Sequence, residues 1–434
     1  MFFDKDIAYL LKKPDFTGFS RMLAVKQHFD DHFVENIEET VCQEIEKISL
    51  DGLMGKKIAV TAGSRGIPNC VQILRAIGKT LRARGAAPFV VPAMGSHGNG
   101  TAEGQVELLA SYGITEDSLE MPIRSSMDTV FLGVSASGAK VYCDRNACEA
   151  DGIVVCGRVK PHTDFRGTIE SGLCKMMVVG LGKHQGAVAF HKSGSGPMAE
   201  RLRTAAALFL EKTKVLCGIA IIDNAFHNTK IIEAVRPSDI LKREPELLIA
   251  AAGAMPKLLF DEIEALIVDE YGKEISGAGM DPNVTGRFLF APYEHFSGYP
   301  RVKKIAILRL TEASHGNAAG LGIADYVSRR FANAIDLAST YTNSLTSTLS
   351  MGKIPMVMND DLDTLYATVS ACGKPDVKDV RTIVIKNTLE LDNVLVSENY
   401  LPEIAGRTDV TITGEPRELV FGPDNALHLP WESA

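Results

Sequence analysis

The sequence predicts an α/β protein of two domains with largely parallel sheets and a cleft between them. Three observations point there. At 434 residues the chain exceeds one ordinary core, so more than one domain is expected. Short β-branched runs ending in glycine alternate with helical stretches, the rhythm of βα units. A glycine-rich break, ISGAGMDPN after Gly272, interrupts that rhythm, and the boundary is placed there, giving domains 1–272 and 273–434.

In chain order, residues 1–50 read as mainly helical, because Phe33, Ile37, Val41, Ile45 and Ile48 recur at three- and four-residue steps. KKIAVTAG (56–63) is the first strand candidate, followed by SRGIPN and a helix from Cys70 to Arg84. APFVVPAMG (87–95) is the second, followed by SHGNG and a helix from about Thr101 to Tyr112. Thr101 suits an N-cap, with Glu103 in the first turn. DGIVVCG (151–157) is the third strand. Ala199–Lys212 reads as a helix, 215–235 as two strands around a turn, and Lys257–Tyr271 as a long amphipathic helix. The second unit opens on KKIAILRLT (303–311), then EASHGNAAG and a helix to about Leu337. It continues through KIPMVM (353–358), a helix over 362–371, RTIVIKN (381–387), VLVSE (394–398) and DVTITG (409–414).

Composition narrows the function. Apolar residues make up 45% and charged residues 23%, the proportions of a soluble globular protein. No run approaches the ~18 apolar residues of a membrane span. The N-terminus lacks the basic and apolar regions of a signal peptide. Eight scattered cysteines without a CxxC pair suggest reduced thiols in a cytoplasm. A pI near 5.8 argues against a nucleic-acid partner.

One segment reverses the sign of the chain. The formal charge is -8, yet residues 156–192 hold six Lys or Arg against Asp164 and Glu170. An anionic ligand is one reason for such a patch, and a solvated basic loop is the other. Six glycines between 156 and 191 favour the ligand, because glycine lets backbone N–H groups approach an anion. Arg65 and His97 each follow an apolar strand, and the third strand delivers His162. In parallel sheets ligands sit beyond such strand ends. A lone loop histidine is ordinarily structural or solvated; the joint position of His97, His162 and His191 points to a site. Lys175, between apolar residues in LCKMMVV, is either a snorkelling lysine or a desolvated amine fit for covalent attachment. GSHGNG lacks the GxGxxG spacing of a dinucleotide loop, and HExxH is absent.

The combination of Pro161-His162, Lys175 with Gly180, His191, Ser64-Arg65 with Pro68, and Gly95-Ser96-His97 with Thr101 resembles the nickel-pincer lactate racemase family. Order and rough spacing agree over about 50–270. The resemblance implies two α/β domains around a nickel-bound pyridinium-3-thioamide-5-thiocarboxylic acid mononucleotide. It implies Lys175 as the attachment point and His191 as the nickel ligand, a set that suits nickel with soft donors and one imidazole. His97 and His162 would be the acid/base pair, and Arg65 would hold the substrate carboxylate. Ser64 and the 166–174 backbone, with Arg166, Gly167, Ser171 and Gly172, would hold the cofactor and its phosphate. The implied activity inverts C2 of a 2-hydroxy acid by reversible hydride transfer, which avoids a carbanion.

The sequence also departs from the family's pattern. Ala62 replaces an acid and Gly98 an arginine, and three extra residues separate His162 from Lys175. The family's clamp in the second domain has no counterpart. Glu312, Ser314, His315, Asn317, Thr342 and Asn343 stand there in polar stretches, suggesting a polar substrate such as a sugar acid; capping and turn roles explain the same residue types. The rival expectation is a binding protein for a phosphorylated or acidic small ligand on the same fold. A hydrolase or lyase using the histidines alone is a third. No membrane partner is expected.

Overall fold

The computed structural model describes residues 5–11, 13, 16–63, 66–192, 194–291, 295–346 and 349–433. The chain forms two compact units, Asp31–Met255 and the pair of segments Met1–Asp30 with Pro256–Ala434. This division differs from the expected one at 272/273. The cause is two strands: Met22–Gln27 and Glu262–Tyr271 both belong to the sheet built from the later part of the chain.

In Asp31–Met255 the sheet order is Ala87–Pro92, Lys57–Ala62, Gly152–Arg158, Val215–Asp223, Thr229–Val235. The first four strands are parallel and the last is antiparallel. Alternate residues feed two apolar layers. One layer collects Val41, Ile45, Ile73, Leu74 and Ile77 from helices Ile37–Ile48 and Cys70–Ala83 against Val60, Val154 and Ile219. The other collects Leu173, Met177, Leu202, Phe209 and Leu247 against Val91 and Val155. The chain leaves strand Lys57–Ala62 to form its neighbour on one side, then returns to form Gly152–Arg158 on the other. At such a reversal α/β sheets bind ligands beyond the carboxyl ends of the strands.

Several expectations change. The N-terminal 50 residues are not mainly helical: Met22–Gln27 is a strand, and the helix is confined to Ile37–Ile48, capped by Asn36. Lys257–Tyr271 is not a helix but contains the strand Glu262–Tyr271. Its run of buried Ala265, Leu266, Ile267 and Val268 is equally apolar on both faces, and periodicity cannot separate a buried strand from a buried helix. It lies between parallel strands Arg301–Leu310 and Thr382–Ile385. The eight-stranded sheet continues through Asn393–Ser397, Met22–Gln27 and Val410–Ile412 on one side, and Tyr326–Ser328 and Met356–Met358 on the other. The expected helix between EASHGNAAG and Leu337 is instead short 3₁₀ turns, strand Tyr326–Ser328 and helix Arg329–Asn333. Helix Ile240–Ala254 and the hairpin Thr129–Val134/Lys140–Asp144 were not expected.

Candidate active site

The carboxyl edge of the Asp31–Met255 sheet carries the loops singled out in the sequence. Ser64 and Arg65 lie outside the described residues. His97 follows strand Ala87–Pro92, and His162 follows Gly152–Arg158. Beneath them runs a short helix, Leu173–Lys175, which widens into a π turn over Met176–Gly180. The widening shows in the Leu181 N–H, which bonds the Met176 carbonyl five residues back at 2.8 Å. Such turns favour functional sites. Gly180 lets this helix approach the His97 loop: a Cβ there would lie 2.7 Å from the Ala93 carbonyl oxygen. The Gly95 N–H bonds the Gly180 carbonyl at 3.1 Å.

Lys175 Nζ stands 2.5 Å from His162 Nε2. The other ring nitrogen, Nδ1, accepts the Asp164 N–H at 3.0 Å. A neutral imidazole has one N–H, so this tautomer carries it on Nε2. Burial, followed by the charges of Lys175, Arg166 and Lys160, pushes His162 well below its ordinary 6.5. The ring also stacks on Phe165 at 4.3 Å. His191 lies in the last turn of helix Lys183–Lys192. Its ring opens to solvent, yet packed protein and the Lys175 charge lower its pKa too. Lys175 thus acts on both histidines, and the three groups share one neighbourhood.

His97 has the opposite tautomer. Its Nδ1 lies 2.8 Å from the Met94 carbonyl, which only accepts, so Nδ1 donates and Nε2 carries the lone pair. Lys183, eight residues beyond Lys175, is fully buried and engaged with Pro92, Gln105 and Asp144. It has no access to a ligand.

The expected phosphate cradle is engaged by the protein's own carboxylates. Buried Glu170 accepts the N–H of His162 at 2.6 Å and of Gly167 at 3.0 Å, and pairs with Arg166. Arg166 also donates to the carbonyls of His162 and Phe165. The Ser171 N–H bonds Lys160. Gly172 packs on Glu244, whose Oε2 accepts the Cys174 N–H at 2.9 Å. Burial raises Glu170, and it lifts Glu244 to about 7. The acid in the basic segment was the sequence signal for Glu170; Glu244, from a distant helix, left none.

The polar residues of the later unit have local partners. Glu312 opens a 3₁₀ turn that His315 closes in the left-handed region, at φ 48°. Asn317 Oδ1 accepts the Ala319 N–H at 3.1 Å, and Ser314 Oγ donates to the Asn317 carbonyl at 2.6 Å. Thr342 and Asn343 lie not in a polar loop but within helix Leu337–Thr346. Thr342 Oγ1 donates to Ala338 at 2.8 Å, and the Asn343 side chain lies outside the described residues. Turn and helix bonding explain these polar types; Glu312 and His315 remain exposed.

Among the described residues no group of three His, Cys, Asp or Glu could hold a metal. No helix is long and apolar enough to cross a membrane.

The Asp31–Met255 unit is a doubly wound α/β sheet with the Lys175 amine against His162 at its carboxyl edge. Residues 12–200 match the family profile described as the lactate racemase N-terminal domain. Over that segment the chain is similar to that domain. Among solved structures it is similar to the lactate racemase apoprotein from Thermoanaerobacterium thermosaccharolyticum, at 14% identity and TM-score 0.49, over 85% of this chain and 99% of that one. It is also similar to a Thermotoga maritima protein, at 15% identity and TM-score 0.44, over 63% of this chain and 70% of that one. No curated protein matches.

Proposed function

We propose that the protein is a racemase or epimerase inverting C2 of a 2-hydroxy acid, with a nickel-pincer pyridinium mononucleotide attached at Lys175 and His191 as the nickel's protein ligand. The observation that carries the reading is the Lys175–His162 contact, 2.5 Å from Nζ to Nε2, because a partly desolvated lysine with an imidazole in hydrogen-bond reach is the arrangement of an activated nucleophile. The donor set fits attachment and a single imidazole ligand. The 166–174 backbone fits a phosphate poorly, since Glu170 and Glu244 hold the N–H groups of Gly167 and Cys174.

When bound, the cofactor supplies a hydride acceptor; the proton work falls to the chain. His97, with its lone pair on Nε2, takes the substrate hydroxyl proton. His162 stays neutral and presents Nε2–H to the oxygen of the keto acid, as a neutral imidazole of lowered pKa can. His97 returns the proton to that oxygen as the hydroxyl reforms, while His162 keeps its Nε2–H on it. Arg65 binds the substrate carboxylate. Glu312 and His315 are proposed to receive hydroxyls of a substrate more polar than lactate, since burying a hydroxyl unpaired costs ~1–3 kcal/mol.

The test is intact-mass and nickel analysis of protein from cells that make the cofactor. An adduct lost in Lys175→Ala, with nickel reduced in His191→Ala, is expected. An adduct that survives Lys175→Ala sinks the assignment. A panel of 2-hydroxy acids in deuterated water should show inversion with little deuterium at C2. Binding of acidic ligands without inversion would favour the binding-protein reading.

A further inference from the structure

Lys183 is the first residue of the helix that carries His191 in its last turn, and it is fully buried. Its backbone sits in the left-handed region at φ 54°, an arrangement that a non-glycine residue keeps only when its surroundings enforce it. Its ammonium group makes two hydrogen bonds and one ion pair. Nζ donates to the Pro92 carbonyl at 2.6 Å and to Gln105 Oε1 at 2.9 Å, and lies 3.3 Å from Asp144 Oδ2. Asp144 is equally buried; its Oδ1 caps Ala147 and its N–H bonds the Leu181 carbonyl. Gln105 passes the constraint on: its Nε2 donates to the Gly95 carbonyl at 3.0 Å and the His97 carbonyl at 3.3 Å.

A buried ion pair is an expensive way to fill space, and well-packed apolar residues commonly do as well for stability. What an apolar side chain cannot do is fix carbonyl groups. Pro92 ends the strand before the His97 loop, Gly95 and His97 lie in it, and Gln105 begins to close it through helix Ala102–Ser111. Each of the three bonded positions brackets the turn whose Met94 carbonyl sets the His97 tautomer.

We propose that Lys183, held by Asp144, is the positioning residue of the His97 loop, acting through Gln105 to keep His97 in the Nδ1–H tautomer with Nε2 directed as a base. The proposal rests on the reading of His97 as an acid/base group. It links the helix of the metal ligand to the loop of the base, so that one buried cation registers both.

The experiment uses full-length apoprotein and two variants. Gln105→Leu cuts the link and leaves the ion pair. The double variant Asp144→Asn/Lys183→Met removes both charges, so no lone charge is left buried if either single change prevents folding. Long-range ¹H–¹⁵N spectra of the histidine rings are the first readout. In both variants His97 should lose the pure Nδ1–H pattern while His162 keeps its Nε2–H pattern. Unchanged His97 signals overturn the proposal. With cofactor-loaded protein, kcat should fall by about 10- to 100-fold with little change in KM; a loss of thermal stability with kcat intact likewise overturns it. If the parent inverts no 2-hydroxy acid, the racemase reading fails, and the ring spectra still decide whether the clamp exists.

Discussion

Replacing Glu244 by Gln should change how stability depends on pH. Glu244 is buried, on helix Ile240–Ala254, and its carboxylate meets the start of the helix that carries Lys175. Burial is the main cause that lifts its pKa from the ordinary 4.5 to about 7, against the hydrogen bonds from Cys174. At about 1.4 kcal/mol per tenfold change in proton affinity, that raise is worth about 3 kcal/mol. The folded state holds the proton more tightly than the unfolded chain. Stability therefore rises as pH falls through 7, and the gain is complete below 4.5. Gln keeps the acceptor for the Cys174 N–H but does not titrate. The difference in unfolding free energy between parent and variant should accordingly change by about 2–3 kcal/mol between pH 8.5 and 5. Urea unfolding followed by circular dichroism across that range measures it. Trp431, the single tryptophan, belongs to the other unit, so its fluorescence is an internal control that should not respond. Parallel pH profiles for parent and variant would refute the reasoning.

Lys175→Met should raise the His162 pKa, because the Lys175 charge is the second cause of its depression after burial; an NMR titration of the ring reads this, and no upward movement would mean the amine exerts no field there. Gly180→Ala sets a methyl 2.7 Å from the Ala93 carbonyl oxygen and should cost about 1–3 kcal/mol, seen as a lower melting temperature. Arg330→Met should destabilise at pH 7.5 and recover on acidification to pH 5. Asp361, which Arg330 grips bidentately, is raised by burial to about 6 even with that partner. Urea curves at the two pH values would show equal losses if the pair were inert.

The part of the fold legible in the sequence is the part where periodicity and turn chemistry agree. Lys57–Ala62, Ala87–Pro92 and Gly152–Arg158 carry β-branched or alternating runs that end at glycine or a loop, and each is a strand. Glu262–Tyr271 was misread because a strand covered on both faces has no period. Thr342 and Asn343 were misread because a run of small polar residues suits a loop as well as an exposed helix. Within the site, Lys175, His162 and His191 were legible as residue types in a basic segment. Their mutual tautomers were not, since these depend on which backbone group faces each nitrogen. Asp144 and Gln105 left no trace, because a partner for a buried lysine is chosen by folding and not by sequence proximity.

The placement of Met22–Gln27 bears on how the protein is made. This strand leaves the ribosome before the unit Asp31–Met255, but it pairs Met22 with Ser397 and Val25 with Ile412. The unit Asp31–Met255 has all its strands long before those partners exist, and it can close while synthesis continues, since domains fold as units. Met22–Gln27 meanwhile remains an apolar edge in search of a partner, the kind of segment that chaperones bind and that mispairs at high concentration. Its sheet is closed by contacts almost the full length of the chain apart, and such contacts form slowly. Expression yield should therefore depend on the residues of this one short strand more than its six positions would suggest.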